Sequence, residues 1–212
     1  MAIKIKLEAT ETELFCSSKW WGDPDLPADM EYPTVPVEDE DGAYDYPLTF
    51  LCQIDCEDLA PFDPEGLLPR QGMFYVFAGI DEFLGLDSPF HNGAGEWARR
   101  QVVVKYTKSI NFETFRSAIL VDDEDRPLTE KALKMRFDAC GGEDDCTRLL
   151  GTPSAAPLRE AYPTCVNFLQ IASGTAGLRF GDGGQLNLLY EKADLSAGKW
   201  KLLKACMGLN RP

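Results

Sequence analysis

Apolar and charged residues alternate from the first positions, where Ile3, Ile5 and Leu7 are interleaved with Lys4, Lys6 and Glu8. That two-residue period belongs to a half-buried strand and differs from the basic-then-apolar layout of a signal peptide. Residues 47–55 (PLTFLCQID) and 71–80 (QGMFYVFAGI) are continuous apolar runs of strand length flanked by Pro and Gly, which predicts buried central strands. Residues 165–173 and 184–191 read the same way. Residues 99–107 form a further strand candidate, and 199–207, compatible with strand or helix, is read as a strand. Asp41-Gly42 between Val35/Val37 and Tyr44/Tyr46 predicts a hairpin, because Asp-Gly takes the positive φ angles that a tight turn needs. Two helices are expected. Asn111 would cap 112–120, and Thr129 would cap 130–139, where Leu133 and Phe137 share a face at i, i+4. Residues 17–27 and 81–97 carry too much Gly, Pro and Asp for regular structure.

The chain repeats itself at long range. WGDP (21–24), LCQI (51–54) and GMFYVF (72–77) return in the same order as LGTP (150–153), FLQI (168–171) and GQLNLLY (184–190). A period of about half the chain points to two related β-rich halves around one core, since a solenoid needs shorter periods and more copies. The expected fold is α+β, a β-rich single globular domain over 1–212 with a few short helices, its halves at about 17–80 and 147–195. No Pro/Ser-rich spacer divides them.

Charge narrows the partners. The 35 acidic and 21 basic side chains leave a formal charge of −14, which repels a phosphate backbone, so no nucleic acid is expected as partner. The same field attracts a basic protein, while also serving solubility alone. No apolar run is long enough to cross a bilayer, so no membrane association is expected, and the expected location is cytoplasmic. The seven cysteines are odd in number and scattered. Cys52, Cys165 and Cys206 sit in apolar contexts that suit reduced core thiols.

Candidate chemistry is sparse. Gln53 and Gln170 hold the same place in the two repeats, each in an otherwise apolar strand, where a primary amide either ties neighbouring backbone or reaches a ligand. Asp182 lies among the glycines of RFGDGG (179–184), which form a tight turn or present a carboxylate. Trp20 and Trp21 beside Gly22, Asp23 and Pro24 make either an aromatic platform for a partner or core packing. Cys52-x3-Cys56 and Cys140-x5-Cys146 have neither zinc spacing nor a neighbouring histidine, so no metal and no cofactor is expected. The single histidine, His91, sits in a Gly-rich loop where a solvated side chain is the default, and no signature flanks any cysteine that it would activate. No catalytic residue is assigned.

The segments SKWWGDPDLP, PLTFLCQID, LLPRQGMFYVF, RLLGTP, NFLQI, FGDGGQLNLLY and ADL together resemble the YwqG-like family of bacterial proteins of unknown function. Trp21 and Leu150 stand where that pattern has Gly, and Phe180 where it often has Trp. The resemblance implies an α+β, β-rich fold, brings no catalytic residues, and implies an immunity or antidote role through relatives encoded near toxin systems. The expected function is therefore an acidic binding protein, an immunity-type antagonist of a basic protein. The alternative is a small-ligand binder or enzyme whose site lies where the halves meet, using Gln53, Gln170 and Asp182.

Overall fold

The computed structural model describes residues 2–40, 42–108, 115–117, 124, 130–141, 145–181 and 183–208. In chain order its strands begin with β1 (Ala2–Ala9), β2 (Lys19–Trp20), β3 (Asp25–Pro27), β4 (Thr34–Asp39), β5 (Gly42–Pro47), β6 (Thr49–Asp55), β7 (Met73–Ala78) and β8 (Gly95–Glu96). They continue with β9 (Val102–Thr107), β10 (Phe115–Ser117), β11 (Leu133–Cys140), β12 (Arg148–Leu149), β13 (Cys165–Ala172), β14 (Gln185–Glu191) and β15 (Lys204–Gly208). Short helices α1 (Cys56–Leu59), α2 (Ala156–Ala161) and α3 (Lys192–Ser196) lie between them. Helix accounts for only 15% of the described residues, so the domain is mostly β.

Eleven strands make one antiparallel sheet in the order β8-β15-β14-β13-β12-β1-β11-β2-β6-β7-β9, curled into a half-barrel. At its centre β1 pairs along its whole length with β11, from Ala2↔Cys140 to Ala9↔Leu133. Side-chain alternation puts Ile54, Phe74, Val76, Phe168, Leu186 and Leu188 on one face, in a cluster shared with Ile3, Trp20 and Leu149. The opposite face of β6 and β7 carries Phe50, Met73, Tyr75 and Phe77 against Leu26, Val35 and Leu48, so these strands are buried on both sides. That explains their unbroken apolar sequence. Bulges interrupt the β6–β7 register between Phe50 and Cys52 and the β13–β14 register between Asn167 and Leu169. Each places two consecutive residues, Leu51-Cys52 and Phe168-Leu169, in the main core. The next residue, Gln53 or Gln170, is thereby sent to the other face.

The expected hairpin is present as β4–β5, pairing Val35↔Tyr46 and Val37↔Tyr44, but Gly42 is already in β5 opposite Asp39, so the connection comes one residue earlier than an Asp41-Gly42 turn would put it. Both expected helices need correction. Phe115–Ser117 is a strand paired with β3, and the rest of 112–120 lies outside the described residues. Residues 133–140 form β11, not a helix. The i, i+4 spacing of Leu133 and Phe137 is even, so it suits one face of a strand as well as one face of a helix. With Met135 between them the period is two: Leu133, Met135 and Phe137 face the core, and strand pairing on both sides outweighs helix propensity. The tail strand is borne out as β15, starting at Lys204.

Candidate binding cleft

The cleft begins at the turn after β2. Trp21 (φ 60) and Gly22 (φ 74) both hold left-handed backbone, and the turn is pinned by Trp21 N–H to the Leu51 carbonyl and Gly22 N–H to the Glu130 carbonyl, each at 2.9 Å. A Cβ on Gly22 would lie 2.9 Å from that of Ala132, so the turn admits no side chain there. Trp20 and Trp21 thus diverge, their rings edge to face at 5.9 Å. Trp20 is fully buried in the main core, which rules it out as a surface platform. Trp21 reaches across to the 3-10 turn Thr175–Gly177 and donates its indole N–H to the Ala176 carbonyl at 3.2 Å.

Trp21, Tyr32, Tyr46 and Phe50 give aromatic walls to a cleft of about 470 Å³. Tyr46 and Pro47 of the β4–β5 hairpin, the Ala176-Gly177 turn, Leu86, Asp87 and Glu130 also border it. Asp81 opens the 3-10 turn Asp81–Leu84 directly after the buried strand β7, which holds its carboxylate inside the cleft at 6% exposure. Tyr46 Oη donates to its Oδ2 at 2.6 Å, and Thr49 Oγ1 donates to its Oδ1. Among the described residues no cationic side chain forms an ion pair with it. Burial, followed by the hydrogen bond to Asp81, pushes the Tyr46 phenol above its ordinary range, so it stays a donor at neutral pH. Burial also pushes up Tyr32, whose hydroxyl donates to the Leu48 carbonyl at 2.8 Å. An aromatic-walled cavity with a buried carboxylate is suited to a cation.

Gln53 and Gln170 do not line this cleft; both are fully buried and bonded to protein groups. Gln53 donates to the Ser17 carbonyl at 3.0 Å and accepts from Asp25 N–H at 2.9 Å. Gln170 donates to the Cys146 carbonyl at 3.0 Å and accepts from Ser154 N–H at 3.2 Å. The neighbouring bonds also correspond. Ser18 Oγ accepts from Asp55 N–H at 2.9 Å, and Thr147 Oγ1 accepts from Ala172 N–H at 3.0 Å. Beside Gln53 a buried ion pair joins Lys19 Nζ to Asp25 Oδ2 at 2.8 Å, the same oxygen accepting from Gln53 Nε2 at 2.7 Å and Cys16 N–H at 2.8 Å. Beside Gln170 lies Arg148, fully buried, bonded to Gln170 Oε1 at 3.1 Å and to the Leu150 carbonyl at 2.7 Å. Each amide thus buttresses backbone.

Asp182 lies outside the described residues. His91 is at the surface, its side chain 89% exposed and its Nδ1 3.5 Å from Glu82. Cys52, Cys165 and Cys206 are buried free thiols, and no cluster of metal-ligating side chains occurs among the described residues. Of the candidate site residues that are described, Trp21 lines the cleft and Trp20, Gln53 and Gln170 do not. Sequence pattern assigns Tyr46 to the hairpin alone and marks neither Asp81 nor Thr49, because the bonds that join the three form only in the fold.

No curated protein matches the chain in sequence. Residues 18–204, which span the Trp21 turn, both buried amides and the Ala176 turn, match a family described only as a domain of unknown function (DUF1963), and the chain belongs to that family.

Proposed function

We propose that the protein is an acidic binding protein that captures a basic partner at the Trp21–Asp81 cleft, an antagonist of the immunity type acting in the cytoplasm. The observation that carries this reading is Asp81, a carboxylate buried at 6% exposure among aromatic rings with hydroxyl donors and no cation among the described residues. Such a group is costly to hold unpaired, and a positively charged ligand relieves that cost. The formal charge of −14 speeds the encounter with a basic protein. The test is capture of basic proteins from lysate of the source cells by wild type and by Asp81→Asn, washed at low and then high salt. A basic protein held by wild type and lost with the variant supports the reading; equal retention by both, or no basic protein at all, refutes it.

The reading includes two related halves in a YwqG-like arrangement. Supporting it are the matched hydrogen bonds of Gln53 and Gln170, the matched bulges, and the matched left-handed Trp21 and Leu150 at φ 60 and 59. A second reading, a small-ligand binder, is favoured by the position of the cleft, which takes Trp21 from the first half and Ala176 from the second. A thermal-shift screen of small organic cations addresses it: a raised melting temperature favours that reading, and no shift removes it.

A further inference from the structure

We infer that the cleft is an anchor pocket for an arginine side chain carried on a basic segment of the partner. This rests on the binding reading above and names the group recognised. A carboxylate offers about four lone-pair sites on its two oxygens. At Asp81 one hydroxyl occupies each oxygen, Tyr46 on Oδ2 and Thr49 on Oδ1. One site per oxygen is left, the pattern that the two parallel N–H groups of a guanidinium fork match. The two hydroxyls hold the carboxylate in orientation without neutralising it, so the charge is left for the ligand.

The walls favour the same group. Trp21, Tyr32 and Tyr46 line the same cleft as the carboxylate. A planar, weakly hydrated guanidinium stacks on such rings, whereas an ammonium is a compact, strongly hydrated point charge that loses more on leaving water. The Trp21 indole N–H is already spent on the Ala176 carbonyl, which fixes the ring as a wall.

The surroundings argue for a side chain on a polypeptide over a free small molecule. Tyr46 and Asp87 also line a second, shallower concavity along the hairpin, together with Glu38, Asp39 and Tyr44. Leu86 is 60% exposed at the rim and Tyr44 43% exposed beyond it. An anchoring pocket continued by a strip of carboxylates and exposed apolar side chains fits an arginine flanked by further basic residues.

The experiment is calorimetric titration of the full chain with three probes: a seven-residue peptide of lysines around one central arginine, the same peptide with lysine at the centre, and free arginine. The arginine peptide is expected to bind about tenfold more tightly than the lysine peptide, and free arginine at least about tenfold more weakly than the arginine peptide. Asp81→Asn is expected to abolish the preference for arginine. Leu86→Lys, placed on an exposed side chain that folding does not need, is expected to weaken the arginine peptide about tenfold at unchanged melting temperature. Equal binding of the two peptides to wild type overturns the guanidinium assignment and leaves the basic-partner reading standing. Binding of neither peptide overturns both. Free arginine binding as tightly as its peptide overturns the partner-borne side chain, and an unaffected Leu86→Lys overturns the location.

Discussion

The indole N–H of Trp21 meets the carbonyl of Ala176 at 3.2 Å across 155 positions of sequence, and both residues hold left-handed backbone, at φ 60 and φ 47. Such a conformation strains any residue with a Cβ, by about 1–3 kcal/mol each. Strain concentrated at one contact, on the wall of the aromatic-lined cleft, marks the place where the turn after β2 is tied to the turn between β13 and β14. Trp21→Phe keeps the ring and removes the donor, and is expected to lower stability by about 1 kcal/mol. Ala176→Gly relieves the strain and is expected to leave stability unchanged or raise it by up to about 1 kcal/mol. Urea denaturation of both variants checks this; a marked loss with Ala176→Gly would show that the turn is not strained.

The Lys19–Asp25 pair at 2.8 Å is buried on both sides, its side chains only 7% and 2% exposed. Removing one partner leaves a buried charge uncompensated, so Asp25→Ala is expected to cost about 3–5 kcal/mol. The double variant Lys19→Met/Asp25→Leu is expected to lose less than the sum of Lys19→Met and Asp25→Leu made singly, as a double-mutant cycle in denaturant would reveal. Strict additivity of the two single changes would contradict the pairing.

The amides of Gln53 and Gln170 each hold one backbone N–H and one carbonyl, so Gln53→Ala and Gln170→Ala should each cost about 1–3 kcal/mol by leaving these groups without partners, the Asp25 N–H fully buried and the others half-buried. Peptide binding by the folded fraction should be unchanged, because neither amide lines the cleft. A lost peptide affinity at an unaltered melting temperature would move both residues into the binding site.

Burial pushes the thiols of Cys16 and Cys56 up to about 12 and those of Cys165 and Cys206 up to about 11, and pushes up Cys52 as well. Folded values above the unfolded value of about 8.5 mean that the thiols are protonated in both states at neutral pH, where their contribution to stability is fully present. As pH rises above about 9 the unfolded chain ionises first, and stability falls progressively until the folded thiols also ionise near 11–12. Urea midpoints at pH 7.5, 9 and 10.5 should decline in that order, and the decline should flatten in Cys52→Ala. Native protein at pH 8 should also resist iodoacetamide at these five positions, and rapid labelling there would refute their burial.

Much of the fold was legible along the chain. The doubly buried β6 and β7 announce themselves as apolar runs, and Asp41-Gly42 between alternating residues announces a hairpin, whose register, Val35↔Tyr46 and Val37↔Tyr44, the sequence does not specify. The helix expected over 130–139 is β11 from Leu133 onward because Leu133 and Phe137 satisfy both periods, and what decides between them is the flanking strands β1 and β2, from the far end of the chain. For the cleft, Trp21 was legible as an aromatic at a Gly-Asp-Pro turn. Asp81 was not, because its environment is assembled from Tyr46 and Thr49, which precede it by 35 and 32 positions.

Local pattern therefore determined the buried central strands, the hairpin, the acidic charge and the like sequence setting of Gln53 and Gln170. These depend only on each residue and its near neighbours, through side-chain alternation, turn chemistry and composition. Tertiary structure alone decided that β1 lies between β11 and β12, that Trp20 is core while Trp21 faces a cleft, and that a carboxylate is enclosed by aromatic rings. Strand partners and burial are set by contacts between segments far apart in sequence, and the period of a single strand carries no record of the neighbour it will find.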